Sequence, residues 1–255
     1  MFKDFSRLEP GKKIFFASDF HLGVPSAKGS LIREKKIVSW LNQIQPKAAA
    51  LFLLGDIFDF WFEYKHVVPK GFTRFLGKLA NFTDQGIPVI FFTGNHDMWM
   101  FDFFPTELNI PVHRKPQSMV INDRHFLIGH GDGLGKGDRS YKLLKQIFAN
   151  PFCQWAFRWL HPNLGMDLAH LWSRNSRINR KGEGNIPPEE DRLLAYCKDL
   201  ESTQHNDYYI FGHNHQPTQI NISENCQYIN LGEWVNHFTY AVFDGSNLHL
   251  KKFEE

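Results

Sequence analysis

The sequence predicts an α/β fold in which two sheets pack as a sandwich flanked by helices, with a helical cap inserted in the second half. Three observations support this prediction. Strand-length apolar runs alternate with amphipathic stretches in the first half, further strand candidates follow, and a basic, aromatic-rich segment interrupts them. The chain has 255 residues, 42% of them hydrophobic and 22% charged, which is enough to bury a substantial core.

The first half is predicted to contain parallel strands joined by helices. Apolar runs of strand length occur at 14–17, 48–54 and 89–92. Between the first two, apolar residues recur at helical spacing within 31–44, so one face of a helix can cover a sheet; these residues are Ile37, Trp40, Leu41 and Ile44. Short buried strands alternating with such helices favour parallel pairing.

The second half contains a predicted hairpin and five more strand candidates. The hairpin pairs 118–121 with 125–128 around a turn at Asn122-Asp123. The further candidates are 208–211, 219–222, 228–231, 240–243 and 248–251. We expect them to form a second, mostly antiparallel sheet. A helix is predicted to begin at 187–190, ahead of an apolar face made of Leu193, Tyr196, Cys197 and Leu200.

Residues 138–183 interrupt the strand pattern and are predicted to form a cap inserted within one domain that spans 1–255. Two helices are expected in it, separated near His161-Pro162-Asn163, with large apolar residues at helical spacing that include Phe148, Phe152, Trp155 and Trp159. Residues 139–182 hold eight Lys or Arg and one acid, a charge of about +7 in a chain of net charge +2. Apolar surface between basic edges suits an anionic lipid or a membrane surface. Single-stranded nucleic acid, or a helical hairpin packed on its parent domain, would also explain this composition.

Neither cysteine pairing nor a membrane span is expected. The three cysteines are far apart and form no CxxC pair, so we interpret them as reduced core residues. The longest apolar run is far shorter than the ~20 residues that cross a bilayer, and the amino terminus lacks the apolar stretch of a signal peptide. A cytoplasmic protein is expected.

Five polar clusters each follow an apolar run of strand length. They are Asp19-Phe20-His21, Gly55-Asp56, Gly94-Asn95-His96-Asp97, Gly129-His130-Gly131-Asp132 and Gly212-His213-Asn214-His215. Taken alone, each is explained by a turn or a packed histidine, and a DxH pair shares a face only where the backbone is extended. Together they should converge where strands end in an α/β sheet. Oxygen and imidazole ligands suit Mn²⁺, Fe²⁺ or Zn²⁺.

In sequence order these clusters stand as DFH, GDIFD, GNHD, HGD and GHNH, which resembles the signature of the calcineurin-like metallophosphoesterase superfamily. The resemblance implies a metallophosphoesterase-type two-sheet sandwich and two divalent metal ions that cleave a phosphoester with a metal-bridging hydroxide. Asp56 would bridge the ions and offset their mutual repulsion. One ion would be held by Asp19, His21 and His215, and the other by Asn95, His130 and His213.

The resemblance also assigns roles beside the metal ligands. His96 would protonate the leaving oxygen. Asp97 would either orient the His96 imidazole or cap a helix. We expect Asp59, which completes the GDxxD pattern, to lie beside the metal ligands rather than among them. Asp132, which follows His130 closely, could likewise be either a ligand or a residue beside the ligands.

The insert and its flanks resemble the UDP-2,3-diacylglucosamine pyrophosphatase family of the lipid A pathway. HGDGLGKGDRSYK and the later RNSR match segments of that family, and Trp61 matches a tryptophan after its GD motif. The resemblance implies that a lipid-linked UDP-sugar is hydrolysed to UMP and a diacylated sugar 1-phosphate, with Mn²⁺ as the metal and acyl chains under the cap. It also implies peripheral contact with the inner membrane and no stable nucleic-acid partner. The substrate contacts would be Asn95, His96, Asp138, Tyr141, Asn175, Ser176, Trp155 and Trp159.

Some of these assignments have alternatives. Asp138 could cap the next helix, and Asn175-Ser176 could end one. Members of the pyrophosphatase family commonly have arginine where His96 stands. Arginine supplies charge without titrating, whereas histidine supplies the proton that an alkoxide leaving group needs. Hydrolysis of another phosphomonoester or phosphodiester, in a nucleotide or nucleic acid, is therefore the alternative. A non-catalytic scaffold is disfavoured because no ligand position is lost.

Overall fold

The computed structural model describes residues 5–137, 139–169, 171 and 187–254. The strands within these residues are β1 Lys13–Ala17, β2 Ala48–Leu54, β3 Val89–Phe92, β4 Val112–His113, β5 Gln117–Ile121, β6 Arg124–Ile128, β7 Tyr208–Phe211, β8 Thr218–Ser223, β9 Cys226–Asn230, β10 Thr239–Phe243 and β11 Leu248–Lys252. The helices are α1 Ala27–Ile44, α2 Thr73–Asp84, α3 Phe103–Leu108, α4 Arg139–Ala149, α5 Pro151–Arg158, α6 162–169 and α7 Arg192–Glu201. A 3₁₀ turn, Gln45–Lys47, follows α1.

The first sheet has six strands in the order β11-β10-β1-β2-β3-β4. Strands β1 to β4 pair in parallel, which confirms the prediction for the first half. Strands β10 and β11, which we expected in the second sheet, instead extend this one in antiparallel pairing, with Ala241 opposite Phe16. The expectation was wrong because neighbouring strands in sequence need not share a sheet.

The second sheet has five strands in the order β5-β6-β7-β9-β8. Its outer pairs are antiparallel, whereas β7 pairs in parallel with both β6 and β9. The prediction of a mostly antiparallel sheet is therefore wrong, since the long connection between β6 and β7 allows a parallel crossover. The predicted hairpin is confirmed, and both of its turn residues, Asn122 and Asp123, have positive φ.

The two sheets pack face to face and helices cover their outer faces, which confirms the predicted sandwich flanked by helices. Alternate residues of β1 show the arrangement. Ile14 and Phe16 lie in the core between the sheets, whereas Phe15 and Ala17 belong to the core under α1 and α2. On the other side, α7 buries Leu193 and Cys197 against the second sheet.

Helix α7 begins later than predicted. Asp191 is its N-cap and accepts hydrogen bonds from the backbone N–H groups of Leu193 (2.8 Å) and Leu194 (3.2 Å). The segment 187–190 forms a turn before it, closed by a bond from the Glu190 N–H to the Pro187 carbonyl. The predicted apolar face is correct.

Helices α4, α5 and α6, here called the cap helices, follow β6 in sequence. The predicted first helix is in fact two helices, because Asn150 caps α5 and Pro151 occupies its first turn. The break near His161 is confirmed. Phe148 and Phe157 pack on Trp99, with ring centroids 5.3 and 5.0 Å away. In the described part of the chain, no helix combines the length and apolarity that crossing a membrane requires.

The cysteines differ in burial. Cys197 and Cys226 are fully buried, as predicted, whereas Cys153 on α5 is only half-buried. Burial raises the pKa of Cys226 to about 12 and the pKa of Cys197 higher still, so both stay protonated at neutral pH. We expect Ellman's reagent at pH 8 to label one thiol in the native protein and three after unfolding. Native labelling should disappear in Cys153→Ser; rapid labelling of a second native thiol would contradict this assignment.

Candidate metal centre

The polar clusters converge where β1, β2, β3, β6 and β7 end, at one edge of the sandwich. The backbone continues the strand pairing into these loops. The Asp19 N–H bonds to the Gly55 carbonyl (3.0 Å), and the Gly212 N–H bonds to the His130 carbonyl (3.0 Å). The sequence therefore predicted correctly that the clusters meet.

A first group of possible ligands contains Asp19, His21, Asp56 and His215, whose ligand atoms all lie within 4.8 Å of one another. Nε2 of His215 is 3.1 Å from Asp19 Oδ1 and 3.1 Å from Nε2 of His21. Nε2 of His21 is 4.0 Å from Asp56 Oδ2. Two carboxylates and two imidazoles thus face one small volume.

A second group contains Asp56, His130 and His213, again within 4.8 Å. Nε2 of His130 is 3.4 Å from Asp56 Oδ2, and the His130 ring is fixed because Nδ1 donates to the Leu54 carbonyl (2.8 Å). Asp56 therefore belongs to both groups. Asn95 lies on the adjacent loop, whose next residue, His96, donates its N–H to Asp56 Oδ1 (2.9 Å).

Buried polar atoms at this centre fit a cation. Among the residues that the structure describes, Asn95 Oδ1 is buried and finds no hydrogen-bond partner, whereas the buried Asp56 Oδ2 and Nε2 of His130 face each other at 3.4 Å. Leaving a buried acceptor unsatisfied is costly, and a metal ion bound by these three atoms would satisfy it. The donor set of carboxylate, amide oxygen and imidazole suits divalent cations, so the residues present fit metal binding.

Five of the seven possible ligands share an unusual backbone conformation. The φ angles of Asp19, His21, Asp56, His213 and His215 are 54°, 44°, 53°, 69° and 59°. This left-handed region is unfavourable for residues other than glycine, and such strain concentrates at functional sites. The DxH pair does not meet the metal centre through an extended backbone. Asp19 and His21 instead sit at a sharp turn that follows β1.

Glycines permit the close approach of these loops. A Cβ atom at Gly94 would collide with the side chain and backbone nitrogen of Asp56. At Gly212 it would collide with the Asp19 carboxylate and Ser18. The glycines of the GN and GH motifs are therefore required by packing against the ligands.

The opposite charges of Asp56 and His130 stabilise each other at the centre. Burial would raise the pKa of Asp56, but the neighbouring His130 and His96 outweigh it and hold that pKa well below its usual value. Burial would lower the pKa of His130, yet the Asp56 carboxylate raises it to about 10. Without a metal ion, Asp56 and His130 thus form a buried ion pair. A cation bound at His130 takes the place of the proton on that ring.

His96 lies beside the first group and is held by Asp59. Its Nδ1 is 2.9 Å from the Asp59 carbonyl oxygen, which can only accept, so Nδ1 carries a proton. Nε2 then carries the transferable proton in the imidazolium form. The Asp59 carboxylate is 3.7 Å from His21 and 3.9 Å from His96. His21, Asp59 and His96 form a third group whose ligand atoms lie within 4.8 Å of one another. That Asp59 lies beside the metal ligands rather than among them therefore stays a prediction.

Asp97 does not contact the His96 imidazole, so its predicted orienting role is wrong. It is fully buried, and its carboxylate accepts from the N–H groups of Gly94 (2.7 Å), Ile57 (2.8 Å) and Asp56 (3.3 Å). Burial and the Asp56 charge raise its pKa to about 7, against the effect of these N–H groups. Asp97 therefore ties the loop that carries Asp56 to the loop that carries Asn95, much as a cap would.

Asp132 links the centre to the cap helices. It is buried and accepts from the Tyr141 hydroxyl (2.6 Å) and from Nζ of Lys145 (2.5 Å). Tyr141, a predicted substrate contact on α4, thus bonds to the loop that carries a possible ligand, His130. Trp61, matched by resemblance, is a fully buried core residue whose Nε1 donates to Glu63 (3.0 Å).

The other predicted substrate contacts are distributed differently. Trp155 and Trp159 are 55% and 76% exposed, whereas Phe148 and Phe157 face the body of the protein. Asp138, Asn175 and Ser176 lie outside the described residues.

Two supporting residues were not identified from the sequence. The buried Arg33 of α1 donates from Nη1 to the carbonyls of Phe20 (3.1 Å) and His21 (2.8 Å). The sequence feature that could have identified Arg33 is a cation one turn before Ile37 on an otherwise apolar helix face. Asp191 accepts from Nδ2 of Asn214 (2.9 Å) and so holds the loop between His213 and His215. Its signal was an aspartate directly before a helical pattern.

Comparison with known proteins shows the same family across most of the chain. A family model described as calcineurin-like phosphoesterase matches residues 12–217. A Porphyromonas gingivalis protein named UDP-2,3-diacylglucosamine hydrolase is 37% identical and covers 95% of this chain and 98% of its own length. Proteins of the same name from Azotobacter vinelandii and Edwardsiella ictaluri are 27% and 26% identical, over 86% and 92% of this chain and 91% and 90% of their own lengths.

Proposed function

Because the chain belongs to the calcineurin-like phosphoesterase family, we propose that it hydrolyses the pyrophosphate of UDP-2,3-diacylglucosamine to UMP and 2,3-diacylglucosamine 1-phosphate in the lipid A pathway. The observation that supports this reaction is that Asp56 belongs to both groups of possible metal ligands. The substrate is supported by similarity to named hydrolases over nearly the whole chain, including the insert.

Two divalent cations, with Mn²⁺ as the physiological metal, fit the two groups. Asp19, His21 and His215 would hold one, and Asn95, His130 and His213 the other, with Asp56 between them. Bound in this way, such ions polarise the phosphate and activate a water molecule. The chain's own residues supply the rest. Imidazolium His96 donates its Nε2 proton to the leaving oxygen while the Asp59 carbonyl holds Nδ1. In that form the ring also carries a positive charge.

The cap, 138–183, is proposed to bind the diacyl part of the substrate within the same domain. Its described helices expose an unusual number of large apolar side chains: Leu143, Ile147, Phe152, Trp155, Trp159, Leu164 and Leu168. An apolar surface of this kind, next to basic residues, supports contact with lipid. We propose that this surface contacts the acyl chains of the substrate. The protein would be cytoplasmic and would bind peripherally to the inner membrane, where this lipid substrate lies.

The proposed function is tested by UMP release from UDP-2,3-diacylglucosamine, measured by mass spectrometry. Bis-p-nitrophenyl phosphate serves as a generic phosphodiester. With Mn²⁺, we expect kcat/KM for the lipid to exceed that for the generic ester by at least about 100-fold, since binding of the remote acyl part contributes to catalysis. Chelation should abolish both activities and Mn²⁺ should restore them. Cleavage of the generic ester alone would favour the alternative phosphodiesterase.

The double variant Trp155→Asp/Trp159→Asp tests the lipid contact. We expect kcat/KM for the lipid substrate to fall about 10- to 100-fold, because charges placed against acyl chains are costly. Thermal stability should change little, since both side chains are exposed. Ile32→Asp, at a 62% exposed apolar residue of α1, is the matched control and should leave both activities unchanged. Equal losses for the lipid and for bis-p-nitrophenyl phosphate would argue against acyl contact at these tryptophans.

A further inference from the structure

A cleft of about 640 Å³ opens directly beside the second ligand group. Its inner end is lined by His130 and by Gly94, the neighbour of Asn95. Its walls are His113 at the end of β4, the loop 114–116, the loop 130–134 and the side of α4 that carries Lys142 and Gln146. This volume lies within the usual range for small-molecule sites. A group bound in the cleft would extend away from the reacting phosphorus.

The cleft is rich in positive charge. Arg114, Lys115, Lys142 and Lys145 line it, and Asp132, which is bound to Lys145, is the acidic residue among its lining. The Arg114 guanidinium is held in place, because it donates to the carbonyls of Met98 (2.6 Å) and Met100. Lys115 has no ion pair among the described residues. A fixed excess of cations at the mouth of a phosphoesterase centre favours an anionic ligand.

An aromatic cluster lies beside the first ligand group. There Phe60 follows Asp59, and its ring and those of the buried Phe62 and Trp99 pack against Phe157 of α5. The metal centre thus lies between this aromatic cluster, which anchors the helix that exposes Trp155, and a cationic cleft. A diphosphate that joins an acylated sugar to a nucleotide is also apolar on one side of the diphosphate and anionic and polar on the other. Acyl chains are disfavoured in the cleft, because they would remove lysine and arginine head groups from water without pairing them.

We propose that this cleft binds the nucleotide half of the substrate, a pyrimidine nucleoside monophosphate, a proposal that rests on the proposed function. The cations meet its phosphate and ribose edge. The amide of Gln146, which offers both a donor and an acceptor, suits the imide edge of a uracil ring. Apolar lining residues such as Met98 and Leu134 offer contact to the flat face of the base.

UMP and inorganic phosphate, each used to inhibit hydrolysis of bis-p-nitrophenyl phosphate, test this assignment. Inorganic phosphate tests only the contacts made to the phosphoryl group, whereas UMP adds the ribose and base contacts in the cleft. We expect UMP to inhibit at least about 10-fold more tightly than phosphate. In Lys115→Ala/Gln146→Ala this ratio should fall to within about 2-fold of one. The ratio is the informative quantity, because any change in the metal centre affects both inhibitors.

Lys35→Ala removes an equal charge from an exposed position that does not line the cleft and should keep the wild-type ratio. Equal inhibition by UMP and phosphate in the wild type, or a ratio retained in the double variant, would overturn the cleft assignment. The experiments distinguish a wrong cleft assignment from a wrong proposed function. Lipid hydrolysis without UMP preference contradicts the cleft alone, whereas UMP preference without lipid hydrolysis supports the cleft and contradicts the substrate.

Discussion

Replacing Asp56 with alanine is expected to lower kcat by at least about 10³-fold, for the lipid substrate and for a generic phosphodiester alike. Its Oδ2 lies 4.0 Å from Nε2 of His21 and 3.4 Å from Nε2 of His130, so the substitution removes a ligand from both groups at once. Metal content measured after gel filtration should fall together with activity. Excess Mn²⁺ should not restore the rate, because the carboxylate that offsets repulsion between the cations is gone.

Asp56→Asn refines this test. In the wild type the His96 N–H donates to Asp56 Oδ1, and the amide oxygen of the variant can still accept this bond. The amide lacks the negative charge of the carboxylate. Its activity should therefore lie close to that of Asp56→Ala. Asp84→Ala, at an exposed aspartate ending α2, is the matched control and should behave as the wild type. An Asp56→Ala protein with a tenth or more of normal activity would exclude the shared-carboxylate centre.

The metal centre could be predicted because its ligands follow strands that are themselves easy to recognise. Buried runs such as Ala48–Leu54 specify a strand locally, and the carboxyl ends of strands in an α/β sheet share an edge. The conformation of the ligands was not predictable in this way. The positive φ angles of Asp19 and His21 are stabilised by distant groups, including Arg33 on α1.

The partner of a strand is less predictable than the strand itself. Strand β10 was located almost to the residue, yet it pairs with β1 rather than with the second sheet. Its continuous apolar run fits either sheet, and the choice depends on contacts between residues more than 200 positions apart. The mixed second sheet escaped prediction for the same reason.

The cap shows how a local break defeats a periodic pattern. Phe148, Phe152, Trp155 and Trp159 follow helical spacing in the sequence and so predict a single face. The break at Asn150 and Pro151 changes the direction of the chain between α4 and α5. Phe148 consequently packs on Trp99, whereas the three later aromatic residues are exposed.

Asp97→Ala is expected to destabilise the protein by at least about 3 kcal/mol and to weaken metal binding about 10- to 100-fold. The substitution leaves the buried N–H groups of Gly94, Ile57 and Asp56 without their shared acceptor. Because these groups belong to the loops that carry Asp56 and Asn95, ligand geometry should loosen as stability falls. Urea unfolding in chelator measures the stability, and metal titration measures the affinity.

Asp97→Asn separates this positioning role from direct action on His96. The amide oxygen can replace one acceptor while its NH₂ group opposes another backbone N–H, so the variant should be intermediate in stability and in metal affinity. Saturating Mn²⁺ should recover most of kcat in both variants, since Asp97 contacts neither the His96 imidazole nor a reacting atom. Wild-type stability combined with a low kcat at saturating metal would instead return Asp97 to a role in proton transfer. The structure favours the first result because the His96 imidazole is held by the Asp59 carbonyl at 2.9 Å.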